Sequence, residues 1–82
     1  MVTGNLYMFN VTLLDQAHVI FNGVAKNVIL PGDEGEFEVL DFHKPVVSSL
    51  ARGEIVIDNM GFPIARGIMR FYKDQMTVLV EL

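Results

Sequence analysis

A two-residue hydrophobic period, broken by turn residues roughly every 8 to 12 positions, is the feature that most constrains this chain. In NLYMFNVTLL (5–14), Tyr7, Phe9, Val11 and Leu13 alternate with Leu6, Met8, Asn10 and Thr12. Successive side chains of an extended strand point to opposite faces, so such a segment can bury one row, and its β-branched and aromatic residues suit a pleated surface. The pattern recurs in HVIF (18–21), VAKNVIL (24–30), EFEVL (36–40), VVSSL (46–50), EIVID (54–58), FPIAR (62–66), IMRFY (68–72) and QMTVLVEL (75–82). Asn22-Gly23 reads as a tight turn, Pro31-Gly32 as a strand stop, Asn59-Met60-Gly61 and Lys73-Asp74 as further turns. Pro63 belongs at a strand edge or bulge, because it has no N–H for a ladder. The prediction is an all-β fold, a flattened antiparallel β-sandwich of about eight to ten short strands with no C-terminal helical domain.

Eighty-two residues provide for one domain over 1–82 and one small core. No apolar run approaches the roughly 18 residues of a membrane span, so direct membrane insertion is not expected. Six Lys and Arg are scattered against ten Asp and Glu, which leaves no basic stripe for nucleic acid. The absence of cysteine and of a secretory leader fits a reducing, intracellular compartment.

The stretch PGDEGEFEVLDFHKP (31–45) concentrates chemistry, with Asp33, Glu34, Glu36, Glu38, Asp41 and His43 in eleven residues. Its spacing does not match a calcium loop, and alternate residues of EFEVL point to opposite faces, so neither a metal nor a cofactor is expected there. Ser48 and Ser49 lack a base at a recognisable spacing, and no nucleophile elbow or phosphate loop is present, so catalytic residues are not expected either. An acidic loop of this kind solubilises, or steers a basic partner surface; the alternatives are a stand-alone β-sandwich that binds a small ligand or metal through the 33–43 loop and, ranked last, an enzyme using Glu36 and His43. Surplus apolar residues point to protein contact as well: Ile68 and Tyr72 oppose Met69 and Phe71, Leu79 opposes Val78, and one small interior cannot hold them all.

The order F-x-V-x-L-L (9–14), V-I-F-N-G-V-A-K-N-V-I-L-P-G-D-E-G-E-F-E-V-L-x-x-H-x-P-V-V-S-S-L (19–50), A-R-G-I (65–68) and M-T-V-L-V-E (76–81) resembles the N-terminal β-sandwich domain of the epsilon subunit of F-type ATP synthases. Phe21, Gly23, Pro31, Gly32, Glu34, Gly35, His43, Pro45, Gly53, Gly67 and Thr77 fall on the family pattern. Asp41-Phe42 replaces the usual Pro-Gly before the histidine, and Arg66-Gly67 the usual Gly-Gly. The resemblance implies a non-catalytic central-stalk subunit with two partners, the gamma subunit and the c-ring, peripheral to an energy-coupling membrane and on the cytoplasmic face in a bacterium. It implies a c-ring contact through Glu34, Glu36, Asp41, Phe42 and His43. The surplus apolar strand residues, such as Met8 and Met69, are then the gamma-facing candidates. Family members commonly continue into a helical hairpin that inhibits ATP hydrolysis and in some bacteria binds ATP; those functions are not expected from this sequence.

Overall fold

Alternation of apolar and polar residues produces short strands here, each burying one row. The computed structural model describes residues 8–41 and 43–82, which form nine strands and no helix. They are β1 (Phe9–Leu14), β2 (Val19–Ala25), β3 (Asn27–Gly32), β4 (Gly35–Leu40), β5 (Val46–Leu50), β6 (Gly53–Ile57), β7 (Met60–Ile64), β8 (Arg66–Tyr72) and β9 (Gln75–Glu81). Hydrogen bonding links them in the order β2-β1-β9-β8-β5-β3-β6-β7, with β4 on the free side of β3. All pairs are antiparallel except β1 with β9. Strand β5 joins β3 at a single register pair, Gly32 with Leu50. The sheet curls at that seam into a five-stranded half (β2-β1-β9-β8-β5) and a four-stranded half (β4-β3-β6-β7), which enclose one core.

Every strand contributes to that core. Phe9, Val11 and Leu13 of β1, Met69 and Phe71 of β8, and Met76, Val78 and Val80 of β9 meet Val28, Leu30, Val39, Ile55 and Ile57 from the other half. Phe9 and Phe71 pack edge to face, with ring centroids 5.3 Å apart, the geometry that aromatic quadrupoles favour. No polar or charged residue is buried as a whole among the described residues, so the core itself is apolar.

Three turn assignments from the sequence shift in the structure, the simplest being that Met60 and Gly61 fall in β7 and leave the turn at Asp58-Asn59. Strand β2 runs straight through Asn22 and Gly23, which pair with Thr12 and Val11 of β1. The first hairpin closes earlier, at residues 15–18, where Asp15 Oδ1 accepts hydrogen bonds from the N–H groups of Ala17 and His18, each at 2.7 Å. A side chain that satisfies the backbone locally is a sufficient turn signal without glycine. The real break between β2 and β3 falls at Lys26. There Asp58 Oδ1 accepts from the N–H of Lys26 at 2.9 Å and of Asn27 at 3.2 Å, and the Asp58 N–H donates to the Asn27 carbonyl at 3.0 Å. Asp58 itself sits at φ 54°, a conformation that Asp tolerates better than most residues.

Pro31 and Gly32 are the last two residues of β3, which stops after them rather than before, and the Pro31 carbonyl accepts from the Ala51 N–H at 2.8 Å. Gly32 sits where the halves join, and a Cβ there would lie 2.8 Å from the Gly35 carbonyl oxygen and 2.9 Å from the Phe37 ring. Pro63 is found as expected, on the edge strand β7. Lys73 and Asp74, at φ 49° and 60°, form the tight turn between β8 and β9 that two consecutive positive φ values produce.

Candidate functional site

The register of β4 decides what the acidic stretch can do. Gly35 pairs with Gly32 and Leu40 with Asn27, so Asp33, Glu34 and Glu36 lie at one end of the sandwich and Asp41 and His43 at the other. Five strand rises, roughly 17 Å, separate the two groups. The sequence stretch is therefore no single site, and a Glu36–His43 catalytic pair or a metal cage spanning 33–43 is ruled out by distance. Among the described residues, no three His, Asp or Glu side chains converge as metal ligands do. Phe42 lies outside the described residues.

Each end has its own chemistry. At the 33–34 end the acids are exposed. At the other end the His43 ring packs edge-on to Phe71, centroids 5.9 Å apart, with Nδ1 2.7 Å from the Lys44 carbonyl. His43 thus covers the core rather than reaching outward. Asp41 is half-buried, and its Oδ2 is buried with no hydrogen-bond partner among the described residues.

The gamma-facing candidates also separate. Met69 is fully buried, paired with core residue Val78, and offers no surface; this corrects its placement. Met8 is half-buried just before β1. The outward row of β8 is instead Arg66, Ile68, Arg70 and Tyr72, exposed to the last. Strand pairing extends it sideways: Ile68 faces Leu79, Leu79 is level with Leu14, and Leu14 pairs with Val19. This apolar row crosses four strands, roughly 14 Å, and three members are strongly exposed, Val19 61%, Ile68 47% and Leu79 46%. A contiguous exposed apolar row is the usual mark of a protein contact. The sequence flagged Ile68, Tyr72 and Leu79; Leu14 and Val19 were missed, because only the pairing register brings them into line.

Below the row, the face is polar, with Thr12 donating to Asn22 Oδ1 at 3.3 Å. Above it, Arg66 Nε donates to Glu81 Oε1 at 2.9 Å; this exposed pair contributes ~0–1 kcal/mol and neutralises both charges. Ile68, Leu79, this ion pair and the 15–18 turn line an open groove of about 650 Å³. The four-stranded half presents a different outer surface, where exposed Glu36, Glu38 and Glu54 stand without a Lys or Arg on the same strands. Asn27 Nδ2 donates to Glu38 at 2.7 Å.

Asp15, in the groove wall, is among the described residues the one titratable group with a clear displacement. The N–H groups of Ala17 and His18 hold its carboxyl below the usual carboxylate range, and the adjacent His18 ring acts in the same direction. A carboxyl whose folded pKa is depressed stabilises the fold above its unfolded pKa, and that contribution is lost as pH falls through the lower folded value. Asp15→Ala is therefore expected to be less stable than the native chain by an amount that is full near pH 5 and shrinks below about pH 4. Urea unfolding of both proteins along an acid series measures this, and a pH-independent difference would refute the assignment.

The structure is that of a curled β-sandwich domain with an exposed apolar row on one outer face and dispersed, solvent-facing acids. Residues 8–82 match the family described as the ATP synthase, Delta/Epsilon chain, beta-sandwich domain. The chain belongs to that family and corresponds to the N-terminal β-sandwich domain of the epsilon chain. The ATP synthase epsilon chain of Rickettsia bellii is 34% identical over 79 residues, an alignment covering 88% of this chain and 73% of the relative. That of Aliarcobacter butzleri is 56% identical over 41 residues, covering 50% of this chain and 33% of the relative. A chain in the central stalk and c-ring structure of the Tetrahymena thermophila mitochondrial ATP synthase superposes with a TM-score of 0.73 at 12% identity, over 89% of this chain and 63% of that one. At that identity the likeness concerns the fold.

Proposed function

We propose that this domain is a non-catalytic central-stalk subunit of an F-type ATP synthase, joining the gamma subunit to the c-ring so that ion-driven rotation passes from ring to shaft. The observation that carries the reading is the apolar row Val19–Leu14–Leu79–Ile68 on the outside of a domain whose family is that of the epsilon chain. In this reading the row packs on gamma. The exposed acids of the 33–34 end, Glu34 and Glu36, stand on the polar loops of the ring, while Asp41 and His43, at the far end, take no part in that contact. The domain then sits at the membrane periphery, on the cytoplasmic face in a bacterium. Coupling of this kind requires a stiff body more than chemistry, and nine short strands closing on one core supply it.

The test is co-purification of the tagged chain with the gamma subunit and c-ring of its own organism. Capture of both is expected. Glu34→Lys with Glu36→Lys is expected to weaken ring capture several-fold while gamma capture is retained, since reversing exposed rim charges alters association more than core contacts. Failure to capture either partner would sink the reading. Ring capture that is indifferent to the reversals would remove the acids from the contact.

A further inference from the structure

The outer face of the five-stranded half holds, on β8, one charge without a partner among the described residues. Arg70 is exposed on β8, two residues from Ile68 on one side and Tyr72 on the other, and its cross-strand neighbours are Val47 and Thr77. It makes no hydrogen bond or ion pair with any described residue. The other strand-borne charges of this face, Arg66 and Glu81, neutralise each other. Lys73 lies at the edge, its Nζ 5.5 Å from the Tyr72 ring centroid. On a chain of net charge −4, whose opposite face displays Glu36, Glu38 and Glu54, this is a pronounced segregation. The face carries the apolar row, beside it a polar row in which Arg70 is level with Thr77, Thr12 and Asn22, no free carboxylate on its strands, and one guanidinium that no described residue pairs.

A surface like this sets a condition on whatever covers it. Ile68, Leu79, Val47 and Tyr72 are removed from water on contact, and Arg70 between them is desolvated too. A guanidinium buried against purely apolar surface loses its hydration with no return, whereas a carboxylate can meet its fork with two parallel charge-assisted hydrogen bonds. Arg is also the cation best suited to an interface, being planar and weakly hydrated. We infer that the partner covering this face presents a carboxylate, set within an apolar contact, that pairs with Arg70. This rests on the proposed packing of the face against gamma and deepens it: Arg70 is the residue that fixes register and excludes partners lacking the acid.

The affinity of the purified chain for the gamma subunit of its own organism is the measurement, made by titration calorimetry on the native chain, Arg70→Glu, Arg70→Met and Leu79→Asp. Arg70 is exposed, so its variants should melt like the native chain. Arg70→Glu is expected to bind about a hundredfold more weakly. Arg70→Met is expected to lose tenfold or more, because it strands the partner's carboxylate in an apolar contact. Arg70→Met binding as tightly as the native chain, while Leu79→Asp binds weakly, overturns the pairing and leaves the face as the contact. Leu79→Asp binding normally overturns both, since the face is then not what gamma covers.

Discussion

Phe71→Ala is expected to lower the unfolding free energy by about 3–5 kcal/mol, the range for removing a buried aromatic ring. Phe71 is 1% exposed, meets Phe9 edge to face at 5.3 Å, and carries the His43 ring on another side. Strand β8 lies inside the five-stranded half, bonded to β9 and β5, so the backbone cannot easily collapse into the void. A domain of this size is held by roughly 4–12 kcal/mol, and the variant therefore retains little margin. Phe71→Leu keeps most of the volume and should lose markedly less. Urea titration followed by far-ultraviolet circular dichroism gives both values. A loss below about 1 kcal/mol for Phe71→Ala would mean that the two halves do not close on this ring.

Leu79→Asp is expected to leave the fold intact and to weaken capture of gamma by on the order of a hundredfold. The side chain is 46% exposed and directed away from the core, while its neighbours Val78 and Val80 remain buried. The cost to the fold is confined to the poorer strand propensity of Asp, below about 1 kcal/mol. Ile68→Asp should act in the same way, because it is the cross-strand partner of Leu79 in the same row. The paired measurements are the melting temperature of each variant and the fraction of gamma retained on the immobilised chain. Folded variants that capture gamma as well as the native chain would move the contact to another face.

The fold class was legible because period-two alternation and turn chemistry act locally. Phe9, Val11 and Leu13, and again Met76, Val78 and Val80, announce their inward rows by spacing alone, and Pro63 announces an edge. The errors arose where a local signal competed with a distant partner. Asn22-Gly23 has turn chemistry, yet pairing with Thr12 and Val11 extends β2 through it, and the Asp58 carboxylate that takes the Lys26 and Asn27 N–H groups stands more than thirty residues away in sequence. The same limit divided the candidate site. Residues 33–43 are adjacent in sequence, but a strand intervenes and carries Glu34 and His43 to opposite ends. Met69 and Ile68 are equally apolar, and only the register of β8 decides which of them faces out.

The seam at Gly32 and Leu50 has a mechanical consequence. The ring-facing acids proposed above belong to the four-stranded half and the gamma-facing row to the five-stranded half, so a twisting load applied between them must cross from one half to the other. Near Gly32 the backbone offers one register pair and the Ala51–Pro31 hydrogen bond as a crossing, and hydrogen-bond ladders resist sliding only along the strands they join. Elsewhere the halves are tied by the Ala65–Glu81 hydrogen bond and by the chain itself at the β2–β3, β4–β5, β5–β6 and β7–β8 connections, so interlocked core side chains share the shear between them. In such a coupling, torsional stiffness is a property of Phe9, Phe71, Met69 and their neighbours as much as of the sheet itself.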